Sequence, residues 1–235
     1  MPSGMFADVD AGTTLSYTAT LENGDALPST WLNFDGTTFT ITPTNDNVGV
    51  TQVRLTASDG ELSVFDTFDV TVVNTNDAPT VDRSVTSVFT AAELEAQEDS
   101  LFTLQLPSDT FGDVDVGDSL SYTAFAVVNG EDQQLTAAGD GYWLKFDATT
   151  LTFSGEALND DVGNLSVKVV ATDDGGATAG YDGGATATET FTLAVTNTND
   201  SPEGTLAIDI IGGELKEDAT LQANTSDLSD DDGLG

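Results

Sequence analysis

The sequence predicts an all-β chain built from tandem Greek-key sandwiches. Three observations carry this expectation. Short runs alternate apolar with polar residues, as in Phe68, Val70 and Val72, which places every second side chain on one face of a half-buried strand. No run shows a helical period, and the strand-like runs are separated by Gly, Asn and Asp clusters that favour turns. The pattern is also written twice, in the same order, over about 100 residues per copy, the size of a Greek-key sandwich.

The elements of the repeat follow one another from Phe6. FADVDAGTTLSYTA from Phe6 corresponds to FGDVDVGDSLSYTA from Phe111, an acidic loop leading into an alternating strand. WLNFDGTTFTI from Trp31 corresponds to WLKFDATTLTF from Trp143, a hairpin in which each Trp is expected to fill the core. NDNVG from Asn45 corresponds to NDDVG from Asn159, a turn. VRLTASDG from Val53 and VKVVATDDG from Val167 are strands rich in β-branched residues that end in acids. The last strand and its tail, FDVTVVNTNDAP closing at Pro79, return as FTLAVTNTNDSP closing at Pro202. Proline has no N–H and biases the residue before it toward extended backbone, so both tails read as joints between units.

These joints set the expected domains. Residues 1–78 form a sandwich without its leading strand, and residues 79–202 form a complete one of about seven strands. In the complete unit Tyr122, Trp143, Phe146, Phe153, Val169 and Phe191 are expected in the core. Residues 203–235 read as the start of a third repeat, in which Glu217-Asp218 stands where Glu98-Asp99 stood, and no independent sandwich is expected there.

Composition narrows the chemistry. Five Lys and Arg against 41 Asp and Glu give a formal charge of -36, which strains a compact state unless cations neutralise it. The five basic residues, Arg54, Arg83, Lys145, Lys168 and Lys216, are scattered and would neutralise few phosphates, so neither nucleic acid nor an anionic membrane is an expected partner. Without Cys or His there is no disulfide, thiolate metal site or His-based triad. No apolar run reaches the roughly 18 residues of a membrane-spanning helix, and Met1 to Met5 lacks the charged start and apolar core of a signal peptide. The expectation is therefore a non-enzymatic protein, since no carboxylate pair sits in surroundings that would raise a pKa for glycoside hydrolysis.

The acids gather in loops. Asp8 and Asp10 are spelled Asp-Val-Asp, as are Asp113 and Asp115, while Asp59 and Asp173 end strands. Carboxylates two residues apart in a turning loop can aim at one point, and oxygen-only ligands suit calcium, which takes six to eight oxygens. Magnesium is the alternative among hard cations, and solvated turn acids are the simpler reading of any single Asp.

Taken together, FGDVDVGDSLSYTA, ATDDG, FTLAVTNTNDSP and EDSLF resemble cadherin repeats, in particular the dystroglycan-type cadherin-like repeats of large secreted bacterial adhesins of the RTX class. The resemblance implies cadherin-like or Ig-like sandwiches at the cell surface or secreted, with Ca2+ held between successive repeats of the same chain. Carried over residue by residue, it implies Asn76, Asp77, Asp113, Asp115 and Asp173 at the first joint. At the second joint it implies Glu98, with the adjacent Asp99 as the alternative, Asn199 and Asp200; Glu217, with Asp218 as its alternative, Asp230 and Asp232 follow beyond, and Asp8, Asp10 and Asp59 face a preceding repeat. Asn74 and Asn197 replace the first acid of the classical linker, and Ala78 and Ser201 replace its later Asn, which implies fewer ions per joint.

The second unit also carries two insertions, VVNGEDQQLTAAGDGYW before Trp143 and DDGGATAGYDGGATATETF after Asp173. Long loops on rigid sandwiches are common binding sites, so Tyr142, Asp174, Tyr181 and Asp182 are candidates for holding a host or microbial surface peptide or glycan. The expected function is a calcium-stabilised adhesin segment serving as spacer or adhesion module, with a peptide- or glycan-binding domain as the alternative.

Overall fold

The computed structural model describes residues 5–10, 12–115, 117–138, 141–175, 184–205, 207–211, 214, 217 and 220–230. The chain divides into two compact units. The first comprises Met1–Pro79 with two further pieces, Asp113–Leu120 and Thr172–Thr186; the second comprises Thr80–Gly112, Ser121–Ala171 and Ala187–Gly235.

In the first unit β1 (Ser16–Leu21), β4 (Gly49–Ser58) and β5 (Ser63–Val72) form an antiparallel sheet in the order β1-β4-β5. β2 (Leu32–Phe34) and β3 (Phe39–Ile41) pair as a separate hairpin. The period of two is visible along β4, where Val53, Leu55 and Ala57 are buried and their neighbours are not. Trp31, Leu32 and Val53 centre the core, with Ala19, Leu27, Phe39, Val70 and Val72 packed on them. Phe39 bridges the two sheets, lying 4.4 Å from Phe34 on its own hairpin and edge-on at 5.5 Å from Phe68 on β5.

The second unit is an Ig-like sandwich. After the short strand β6 (Thr80–Val81) and the single helical turn α1 (Val85–Val88) come β7 (Glu95–Gln97), β8 (Leu101–Gln105) and β9 (Phe111–Gly112). Then follow β10 (Leu120–Val128), β11 (Glu131–Leu135), β12 (Leu144–Asp147), β13 (Thr152–Glu156), β14 (Gly163–Asp173) and β15 (Thr186–Thr196). One sheet has the order β11-β10-β14-β15-β7 and the other β12-β13-β8, while β6 pairs with β9. Phe153, on the three-stranded sheet, meets Phe191, on the five-stranded one, edge-on at 5.8 Å. Phe146, Phe153, Val169 and Phe191 are buried as expected.

Trp143 and Tyr122 are half-buried instead. The inward positions of β12 are Leu144 and Phe146, so alternation turns the preceding Trp143 toward the rim, against Tyr142. Tyr122 stands at the start of β10, beyond the buried Ala124 and Ala126, with its ring 5.9 Å from Phe111.

After Pro202 the described strands form two antiparallel pairs, β16 (Glu203–Gly204) with β19 (Leu228–Ser229) and β17 (Ala207–Ile211) with β18 (Thr220–Asn224). None of the residues there whose exposure is described is buried. Among the described residues no helix is long and apolar enough to cross a membrane.

Candidate metal site

The first joint is built from the turn at Asn45–Asn47 outward. Asn45 donates from Nδ2 to Asp77 Oδ2 at 2.9 Å, and Asn76 donates from Nδ2 to the Asp77 carbonyl at 2.8 Å. The second joint repeats both bonds: Asn159 Nδ2 to Asp200 Oδ2 at 2.9 Å and Asn199 Nδ2 to the Asp200 carbonyl at 2.8 Å. The recurrence of Asn-Asp-x-Val-Gly with Asn-Thr-Asn-Asp thus has a local cause, because the Asn of the first motif holds the Asp of the second.

Around the Asn74–Pro79 linker the first unit gathers acids from its two inserted pieces. The Asp77 N–H donates to Asp115 Oδ2 at 2.6 Å, and Asn76 Nδ2 reaches Asp173 Oδ2 at 3.4 Å. Asp113 Oδ1 accepts the Asp115 N–H at 2.9 Å, which tightens the loop so that both carboxylates turn inward. Asp174 Oδ1 accepts the Ser119 N–H at 3.1 Å, and Asp173 Oδ1 accepts the Gly175 N–H at 3.0 Å. Asp113, Asp115 and Asp118 each place a carboxylate oxygen within 4.8 Å of the others. Oxygens bound to one calcium at about 2.4 Å lie no more than about 4.8 Å apart, so the spacing suits a single ion.

Electrostatics at this point are unbalanced. Asp115 and Asp173 are 5% and 3% exposed. Asn76 Oδ1, Asp113 Oδ2, Asp115 Oδ1 and both oxygens of Asp118 are buried and accept no hydrogen bond. The ion pairs found among the described residues, Arg83 with Asp109 and Lys168 with Asp132, lie elsewhere. Burial, and then the charges of Asp113, Asp115, Asp174 and Asp173, push the Asp118 carboxyl above its ordinary value. Buried carboxylate oxygens without partners are costly, and a hard divalent cation satisfies them together. The residues present fit calcium.

Asp118 and Asp174 complete the acidic group, and Asp118 was not among the residues singled out from the sequence as metal ligands. Its signal was a departure from the repeat: Asp118 occupies the position held by Thr13 in the first copy.

The other expected ligands are placed as follows. Asp8 Oδ1 accepts the Asp10 N–H at 2.8 Å, the same turn as at Asp113, and Asp8, Asp10 and Asp59 line one cleft of about 300 Å³ with Leu15 and Leu62. Asp59 accepts the N–H groups of Leu62 and Glu61, both at 2.7 Å, and these hold its carboxyl below the ordinary value. Glu98 is fully buried, one carboxylate oxygen accepts the Thr198 N–H, and Oε2 has no hydrogen-bond partner. Its neighbour Asp99 is exposed. Glu217 is exposed and Asp230 half-buried, and neither joins a group of three converging carboxylates among the described residues. Asp232, Tyr181 and Asp182 lie outside the described residues. Tyr142 is half-buried beside Trp143, and burial, then the charge of Asp161, raises its phenol pKa.

Residues 1–73 and 83–196 match the family described as "Putative Ig domain". The chain belongs to that family. The two Ig-domain matches contain Asp8, Asp10, Asp59, Glu98, Asp113, Asp115, Asp118 and Asp173, and they leave the first linker, with Asn76 and Asp77, between them. No curated protein matches the chain. Among solved structures, human CDH23 EC21-23 aligns over 100% of this chain and 80% of that one, at 14% identity and a TM-score of 0.49. Human Protocadherin-24 EC1-2 aligns over 83% and 85%, at 15% identity and a TM-score of 0.47. The endo-fucoidan hydrolase MfFcnA4, from glycoside hydrolase family 107, aligns over 80% of this chain at 18% identity and a TM-score of 0.32, and this chain spans only 24% of that one.

Proposed function

We propose that these Ig-domain repeats are a calcium-stabilised, cadherin-like segment of a large extracellular bacterial adhesin of the RTX class, acting as spacer or adhesion module. The observation that supports this reading most is the group of buried, unpartnered oxygens on Asn76, Asp113, Asp115 and Asp118 in a chain of net charge -36. Without a cation, these groups repel one another and the linker is held by few bonds. With calcium, one ion ties the linker to the loops at Asp113–Leu120 and Thr172–Thr186. An ion bound only by the folded state also stabilises it by mass action.

Calorimetric titration with calcium, followed by melting and small-angle scattering in calcium and in chelator, tests the proposal. Saturable heat, a raised melting temperature and a narrower spread of dimensions in calcium are the expected results. A melting temperature and scattering curve identical in both conditions would refute both the calcium assignment and the spacer role. Among the described residues of the inserted loops, Tyr142 and Asp174 are engaged within the fold itself. Asp174 holds the Ser119 amide of the acidic loop, and Tyr142 packs on Trp143.

A further inference from the structure

Each linker is held by a turn of the sandwich that precedes it, and the two copies hold it alike. In the first unit the turn is Asn45–Asn47, closed by the Asn47 N–H on the Thr44 carbonyl at 2.9 Å and by Asn47 Oδ1, which accepts the Thr44 N–H at 2.9 Å. β4 leaves this turn at Gly49, which pairs with Val72, the last residue of β5. The turn therefore stands beside the point where β5 ends and the linker begins. In the second unit the turn is Asn159–Asp161, closed by the Asp161 N–H on the Leu158 carbonyl at 2.8 Å and by Asp161 Oδ2, which accepts the Leu158 N–H at 3.0 Å. The closing residue differs, but the residue that reaches the linker carboxylate is Asn in both, at 2.9 Å each time.

The surroundings of the two linkers are not alike. The Asp77 N–H donates to Asp115, a member of the converging acids Asp113, Asp115 and Asp118, whereas among the described residues no such group includes Asp200. The Asn–Asp bond forms in both settings, so the turn sets it and the acidic group does not. Its effect on Asp77 is specific. Asp77 is exposed, and packing alone would leave its side chain free to turn. Asn45 engages Oδ2, Asn76 engages the carbonyl and Asp115 engages the N–H, which leaves Oδ1 as the oxygen without a partner among the described residues. A neutral amide donor orients a carboxylate without cancelling its charge, where a Lys would compete with a cation and an Asp would repel.

We propose that Asn45 is a positioning residue for the cation site: it presets the Asp77 carboxylate and the linker backbone in the metal-free chain, so that the ion meets a linker already in place. The identity of the ion rests on the calcium reading above; the hydrogen-bonded latch does not. A ligand set beforehand lowers the ordering cost of binding, and partners that orient ligands typically change metal affinity by roughly ten- to hundredfold.

The test compares the full chain with Asn45→Ala, with Asn159→Ala, and with the exchanged pair Asn45→Asp and Asp77→Asn, in which donor and acceptor trade places. Amide hydrogen exchange at position 77 is read in chelator. Calcium binding is read by calorimetry, the first-joint ion being the one that Asp115→Ala weakens. Asn45→Ala is expected to speed the exchange by roughly five-fold or more and to weaken that ion by roughly ten-fold, with the metal-free melting temperature little changed. Asn159→Ala removes the same bond at the other linker and is expected to leave both readings at the first linker unchanged, which separates positioning from a general loss of stability. The exchanged pair restores slow exchange without restoring calcium, because the carboxylate has moved to the turn. Unchanged exchange in Asn45→Ala, faster exchange with unchanged calcium affinity, or equal weakening of the ion by Asn159→Ala overturns the proposal. Absence of calcium heat in the unaltered chain, with the exchange results as expected, refutes the calcium reading and leaves the latch standing.

Discussion

Asp118 offers the sharpest test at the scale of single residues, because its effect should reverse with metal. Burial and four neighbouring carboxylates raise its pKa, so near neutral pH its charge destabilises the metal-free fold. Asp118→Asn is therefore expected to raise the melting temperature in chelator and to weaken calcium binding in titration calorimetry. Asp115→Ala should weaken calcium by at least the roughly ten- to hundredfold typical of a lost outer-shell partner, with the second sandwich still folded by circular dichroism. A different pair of acids sets part of the acid limb. Asp35 accepts the N–H groups of Thr38 and Thr37, and Asp147, its counterpart in the repeat, those of Thr149 and Thr150; these bonds hold both carboxyls below 3.8. A depressed folded-state pKa gives stability that is present above 3.8 and lost as pH falls through the folded value. Asp35→Asn and Asp147→Asn should each make the melting temperature less dependent on pH below 3.8, measured in scans from neutral to strongly acidic buffer.

At the scale of elements, the sandwich depends on close approach between its sheets and strands. Phe153 is wholly buried, 4.7 Å from Phe146 and 5.8 Å from Phe191. Phe153→Ala removes the ring that joins the two sheets, and denaturant unfolding should show a loss of about 3–5 kcal/mol. Gly155 on β13 lies against β12 so closely that an added Cβ would stand 2.1 Å from the Trp143 carbonyl oxygen. Gly155→Ala must push the backbone of β12 away, so a lower melting temperature is expected even though alanine is small. In the first unit, among the described residues, the corresponding hairpin pairs β2 with β3 alone, and Ile41 is exposed where Phe153 is covered.

At the scale of the whole molecule, charge dominates. A net -36 on 235 residues means that self-repulsion opposes compaction throughout the chain, most of all where Asp113, Asp115 and Asp118 approach one another and Asp118 feels the charge of Asp173. Monovalent salt screens this repulsion but does not supply ligand bonds. Melting temperature in chelator should therefore rise gradually with sodium chloride, whereas calcium at far lower concentration should raise it further and saturably. Thermal scans across both titrations check this, and equal efficacy of the two salts at matched ionic strength would remove the case for a specific site.

The amino-acid sequence by itself determined the all-β class and the internal repeat, because alternation and turn chemistry are local properties that survive without knowledge of partners. It also located Asp113, Asp115 and Asp173 as candidates, since their spacing is written twice, and the resemblance to cadherin repeats implied the Asn76-Asp77 linker beside them. Only the tertiary structure decided which of these converge. Asp118 lies on the loop that carries Asp113 and Asp115, but its closeness to Asp173 and Asp174 arises from pieces about 55 residues away that fold back onto the linker. Tertiary structure also turned Trp143 to the rim, because β12 directs Leu144 and Phe146 inward. A strand's inward face is legible from its own residues. Whether that face is covered depends on a neighbour distant in the chain, and pairing of that kind is not encoded in the period of either strand alone.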